Sequence, residues 1–303
     1  MRPPNKLLVS LDLTELDTNL LRYASYLCEK MPVQELVLIH NLLISEPPEE
    51  LKSLYPELEE PLEMIVEREI EEKLNQYLHK KDLEITVNIF QNENIDEIVK
   101  WVRSHEIDLS LVGKKTASEG QGFFSRQYLR LTSHPVILIP PSATPEISNI
   151  LAPVDFSSNA VNVIRTAHQM EVSLGVKVSY LHLYVLPPKY FPYVAKSMDK
   201  YQQEYLTYAR KEFKKWKEKS IKDEQTGEAH YQMAERNDIA REVYLWAVEH
   251  HVDLIICGAK GKSDAEVLLL GSVSEKLITT DYHIPLMVVK RKEHYGWLEK
   301  LLD

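Results

Sequence analysis

Short apolar runs that close on a polar residue alternate along this chain with stretches whose apolar positions recur every three or four residues. Lys6-Leu-Leu-Val-Ser-Leu-Asp12 is the first such run, and Leu16, Leu20, Tyr23, Ala24 and Leu27 follow at helical spacing. Leu36–His40 reads as a second strand. A loop carrying Pro47, Pro48, Pro56 and Pro61 leads into a Glu-rich helix from about 62 to 79. Leu83–Phe90 alternates as a strand does, Ile95–His105 reads as a helix, and Leu109–Val112 is a strand ending at Gly113. A helix near 125–133 and a last strand, Val136–Ile139, complete the series.

The series then begins again. Asn149-Ile-Leu-Ala-Pro-Val-Asp155 matches the first strand, with Asp12 and Asp155 separated by 143 residues. His40 and His182 are 142 apart, while Trp101 and Trp246, Asp108 and Asp253, and Gly113 and Gly258 are each 145 apart. Matching landmarks in one order mean an internal duplication. The Pro-rich link Pro140-Pro-Ser-Ala-Thr-Pro-Glu146 is the expected boundary. We expect a first domain over 1–142, a second over 147–291, and a helical tail over 292–303 with Trp297, Leu298, Leu301 and Leu302 on one face. Strand–helix alternation predicts α/β architecture: two tandem, doubly wound, five-stranded parallel-sheet domains. Ligands of such sheets bind beyond the C-terminal strand ends, where Asp12, Asp155, Gly113 and Gly258 fall.

Composition narrows the class. The apolar share of 44% and charged share of 27% are those of a globular domain. No run approaches the roughly 20 apolar residues of a membrane helix. Two cysteines, Cys28 and Cys257, cannot build a disulfide framework, so a reducing, cytoplasmic setting is expected. Cys257 ends an apolar strand and reads as a small buried residue rather than a nucleophile. The net charge of −10 argues against nucleic-acid binding, and no membrane partner is expected. Charge is unevenly shared, since Glu57–Glu72 is acidic and Ala209–Lys222 is basic. These runs read as solvated helix faces, or as faces that attract one another within or between chains.

The candidate chemistry lies near the C-terminus. Only nine glycines occur in 303 residues, and Gly258, Gly261 and Gly271 fall close together, after the apolar run Leu254–Cys257. Glycine after a strand and again before a helix suits backbone approach to phosphate. Ser272-Val-Ser-Glu275 has the form of a capping box. The stretch is two residues too short for a P-loop, and no GxGxxG follows the first strand of either half. Gly-x2-Gly-x9-Gly-Ser, ahead of Val-Ser-Glu-Lys-Leu and a closing Pro-Leu-Met-Val-Val289, resembles the nucleotide-binding signature of the universal stress protein family.

That resemblance covers nearly the whole chain as a tandem pair, and the family includes relatives that bind ATP and relatives that do not. It implies that Asp155, with Pro153 and Val154 before it, and the backbone of Leu183 hold the adenosine end of ATP. Gly258, Lys260, Gly261, Gly271, Ser272, Val273 and Ser274 would hold ribose and phosphates, with Mg²⁺ on the nucleotide. Asp155 can also be read as a cap for the next helix. The first half departs from the pattern, because Thr116 replaces the second glycine and no Gly-Ser pair precedes the helix. It is expected not to bind ATP in this manner and to serve as a support or partner surface. No metal-ligand spacing and no catalytic constellation appears. His40 and His182 read as buried histidines with one hydrogen bond, and His250-His251 as a helix end. The expected function is a stress-response regulator binding one nucleotide in its second half, with at most slow hydrolysis and with intramolecular pairing or a homodimer. The alternatives are an enzyme cleaving ATP or an adenylated substrate, and a ligand-free interaction module.

Overall fold

The computed structural model describes residues 4–44, 60–80, 82–115, 123–157, 160–185, 198–221, 227–234, 238–259, 270–280 and 282–290. Among these the strands are β1 (Lys6–Leu11), β2 (Glu35–Leu42), β3 (Glu84–Gln91), β4 (Leu109–Gly113), β5 (Val136–Ile139), β6 (Asn149–Pro153), β7 (Lys177–Tyr184), β8 (Glu228–Met233), β9 (Leu254–Gly258) and β10 (Leu286–Val289). The helices are α1 (Leu16–Lys30), α2 (Leu62–Tyr77), α3 (Ile95–Ser104), α4 (Phe123–Leu131), α5 (Ala160–Leu174), α6 (Met198–Ser220), α7 (Ile239–Glu249) and α8 (Ser272–Thr279).

The strands form one sheet in the order β3-β2-β1-β4-β5-β10-β9-β6-β7-β8. Each half supplies five strands, and the ladders within each half are parallel. The halves meet where β5 and β10 run antiparallel, with Leu286 opposite Leu138 and Val288 opposite Val136. All four residues are buried, so the seam is as dry as the interior. One apolar cluster covers each face of the sheet, and each draws on both halves. Residues of α1, α2, α5 and α6 join one cluster, while those of α3, α4, α7 and α8 join the other. Near-continuous apolar strands such as Leu36–Ile39 and Leu254–Cys257 follow from helices covering both faces.

The duplication is visible bond by bond. Oδ2 of Asp108 accepts from the N–H groups of Asn5 and Lys6, and Oδ2 of Asp253 accepts from those of Ser148 and Asn149. His105 stacks on Trp101 and His250 on Trp246, each at 3.7 Å between ring centres. Each of these histidines sets Nδ1 against the same tryptophan's carbonyl, closing its helix end. Leu13 and Phe156, each directly after the strand-end aspartate, share a left-handed backbone, with φ of 61° and 57°. Among the described residues the two charge runs do not meet, because β3 beside α2 and β8 beside α6 are opposite ends of a ten-stranded sheet, on the order of 40 Å apart. The ion pairs seen for Lys200, Lys214 and Lys215 lie within α6 itself.

Candidate functional site

A cavity of about 480 Å³ opens beyond the C-terminal ends of β6, β7 and β9. Pro153, Val154, Asp155, Leu183, Gly258, Gly271, Ser272, Val273 and Ser274 all line it, gathered from four separated stretches of chain. Of the residues singled out from sequence, Lys260 and Gly261 lie outside the described residues. Ala160, Val163, Ile239 and Val243 were missed, and they supply an apolar wall from α5 and α7. Nothing marks them in sequence, since they read as ordinary core positions of two helices.

The cavity lies where β6 ends and β7 continues. β6 ends at Pro153, paired with Leu181 of β7, and the missing proline N–H lies on the β9 side, where the β6 ladder stops at Leu151. The Leu181 carbonyl accepts from the Val154 N–H at 2.9 Å, whereas the Tyr184 carbonyl accepts from Ala234 on the other side of β7. Backbone groups two residues apart on a strand point the same way. The amide and carbonyl of Leu183 therefore face the side that β6 has left, at the cavity. Val154 itself is fully engaged, because its carbonyl accepts from His182 Nδ1 at 2.7 Å. With that proton on Nδ1, Nε2 accepts from the Tyr205 hydroxyl at 2.9 Å, and the ring stacks on Phe156 at 4.0 Å. His182 is thus buried with two hydrogen bonds rather than one, and it pins the turn that follows β6.

The capping role read for Asp155 falls on a stretch that includes residues 158 and 159, between Asp155 and α5, which lie outside the described residues. Asp155 Oδ1 accepts from the Ser157 N–H at 3.0 Å, closing a turn ahead of the helix. A carboxylate has about four acceptor positions on its two oxygens, so Asp155 keeps capacity for a ligand hydroxyl.

The capping box expected at Ser272 is not formed. Gly271 is the N-cap of α8, with no side-chain cap. Its N–H donates to the Ala259 carbonyl at 2.6 Å, and its own carbonyl accepts from Glu275. Glu275 reaches Arg130 of α4 instead of its own helix start. Ser274 is buried, and its hydroxyl donates to the Gly258 carbonyl at 2.6 Å, tying α8 to the end of β9. The first N–H groups of a helix have no intrahelical partner, so the amides at Ser272, Val273 and Ser274 stand at the cavity with the positive end of the helix dipole.

In the first half the described residues crowd the matching strand ends. The Leu16 side chain lies against Gly113 so closely that a Cβ there would sit 2.3 Å from Leu16 Cδ2. Asp17, fully buried, accepts from the N–H groups of Asp12 and Leu13 at 3.0 and 2.8 Å. Burial pushes the Asp17 carboxyl upward. Lys115, in the position of Lys260, folds back onto Asp12 at 2.6 Å. Thr116, Gly120 and Gly122, on which the loss of the glycine pattern was argued, lie outside the described residues. A signal was present nonetheless: Asp17 aligns with Ala160, so a charged residue stands where the cavity wall has a methyl group.

Among curated proteins none matches the chain. Residues 146–290 match the model of the Universal stress protein family. A universal stress protein from Archaeoglobus fulgidus is similar over 95% of this chain and 99% of its own, with a TM-score of 0.62 at 18% identity. A functionally unknown protein from Pseudomonas aeruginosa is similar over 98% of this chain and 96% of its own, with a TM-score of 0.63 at 15% identity. At these identities the likeness is one of fold, and it extends across both halves.

Proposed function

We propose, for a chain that belongs to the universal stress protein family through residues 146–290, that the cavity of the second half binds one molecule of ATP. The observation that carries this is the convergence of Asp155, Leu183, Gly258 and the first turn of α8 on one cavity of about 480 Å³. A volume of roughly 300–1,000 Å³ is usual for small-molecule sites.

The parts suit the groups of the ligand. Leu183 offers a backbone donor and acceptor, as the edge of a purine requires. Ala160, Val163, Ile239 and Val243 give an apolar wall for the base. The Asp155 carboxylate accepts from ribose hydroxyls. The amides of Ser272, Val273 and Ser274 suit phosphate oxygens, because donors and dipole point the same way. Mg²⁺ would be held chiefly by the phosphates, as is usual for this ion.

Family membership points to a part in the stress response. We read the protein as a cytoplasmic, nucleotide-responsive regulator rather than a strong catalyst, and the two buried free thiols suit a reducing compartment. Native mass spectrometry of the full chain is expected to show one adenine nucleotide per chain, and it counts the chains per assembly as well. Gly271→Arg, which sends a long side chain into the cavity, is expected to abolish binding while circular dichroism stays unchanged. Two nucleotides per chain, none, or fast metal-dependent phosphate release would overturn the reading.

A further inference from the structure

The first half reaches into the second at one buried cation. Lys114 follows Gly113 at the end of β4 and is only 7% exposed. Its Nζ donates to the Leu277 carbonyl at 3.1 Å and to the Tyr282 carbonyl at 3.4 Å. The same nitrogen lies 5.7 Å from the centre of the Tyr282 ring. Leu277 belongs to the last turn of α8, where carbonyls have no intrahelical donor. The Thr280 N–H takes the Lys276 carbonyl, and the lysine of the other half takes the next one.

We propose that Lys114 is a positioning residue for the phosphate end of the cavity in the second half. The inference rests on the reading of that cavity as a nucleotide site. A helix of eight residues is about 12 Å long, so the two ends of α8 cannot move independently. Its N-terminal end is fixed by Ser274 on Gly258 and by the Gly271 N–H on Ala259 within the second half, with Glu275 of its first turn also paired with Arg130 of the first half at the surface. Its C-terminal end is fixed from the first half, by a cation at the negative pole of the dipole. Lys114 thereby sets both the direction in which the Ser272–Ser274 amides point and the field they project. The aligned residue of the second half is Ala259, so the contact has no reciprocal copy. This assigns the half without the glycine signature a part in the other half's site.

The test compares ATP with adenosine, which has no phosphate to meet α8. In the full chain, Lys114→Met is expected to weaken ATP about tenfold while leaving adenosine within about twofold. Lys114→Arg, whose guanidinium can serve both carbonyls, is expected to restore ATP binding. A wild-type chain that binds neither ligand would sink the nucleotide site itself. A wild type that binds ATP, with a Met variant that loses neither ligand or both equally, would sink the role of Lys114 alone. Should Lys114→Met fail to fold, hydrogen exchange of the wild type decides. ATP must then slow exchange at Gly113–Lys115 as well as in α8, because coupling between sites is reciprocal. Protection confined to the second half would overturn the proposal.

Discussion

The Ser274 hydroxyl donates to the Gly258 carbonyl at 2.6 Å, and the Ser125 hydroxyl donates to the Gly113 carbonyl at 2.7 Å. Both halves thus keep the bond that ties the strand end to the following helix, although only one keeps the Gly-Ser pair. Losing such a bond costs about 1 kcal/mol or somewhat more. Ser274→Ala and Ser125→Ala should each lower stability by about that amount in denaturant unfolding. Only Ser274→Ala should also weaken nucleotide binding. Equal effects of the two variants on binding would contradict the asymmetry.

The Lys115–Asp12 ion pair gives a second prediction. Burial pushes the Asp12 carboxyl up, but the Lys115 ammonium and the Thr14 hydroxyl outweigh it and hold the group below its ordinary value. A depressed carboxylate adds stability above its unfolded pKa and loses it as pH falls through the folded one. Lys115→Ala should cost no more than about 1 kcal/mol at neutral pH, since the pair is partly exposed. That cost should fade below about pH 4. Nucleotide stoichiometry should stay at one per chain, because Leu16 still packs on Gly113 and Asp17 still holds the Asp12 and Leu13 amides. A second bound nucleotide in this variant would show that the ion pair alone closes the first half.

His134 sets a pH dependence of the opposite chemical type but the same sign. It is buried, with Nε2 2.6 Å from the Ser110 hydroxyl. Burial, aided by the charge of Lys290, pushes its pKa down to about 3. The unfolded chain takes up this proton near pH 6.5 and the folded chain does not. Stability from this group is therefore complete above about 6.5 and falls by roughly 1.4 kcal/mol per pH unit down to about 3. The stability gap between wild type and His134→Gln, measured by urea unfolding from pH 7 to pH 4, should shrink as pH drops. A gap that does not change with pH would refute the assignment.

Both thiols should be inert. Burial raises Cys28 and Cys257 to about 12, so neither forms thiolate near neutrality. Iodoacetamide at pH 8 should label neither cysteine in the native chain and both in denaturant. Fast native labelling of Cys257, which lines the cavity, would reopen its reading as a nucleophile.

Apolar runs of four to six residues between helical stretches can only be strands covered on both faces. The α/β class, the parallel ladders and the duplication therefore follow from local patterns. The strand-end position of the cavity follows too, because ligands of parallel sheets bind beyond the C-terminal strand ends, although β6 stops at Pro153, two residues short of the Asp155 that the pattern suggests. Other features depend on which side chains meet across long separations. Single-file spacing does not show that β5 and β10 would join two sheets into one. Nor could it show that Leu16 would pack on Gly113 and Lys115 on Asp12 at the first strand ends, while Ala160 lines the cavity of the second half. The capping-box reading of Ser272 failed for the same reason, since Ser274 found a carbonyl and Glu275 an arginine that local sequence does not display. Sequence by itself determined the elements, the repeat and the strand-end location of a site. Tertiary packing decided how the described strand ends of the two copies differ, and it placed Lys114 of one half at the end of a helix in the other.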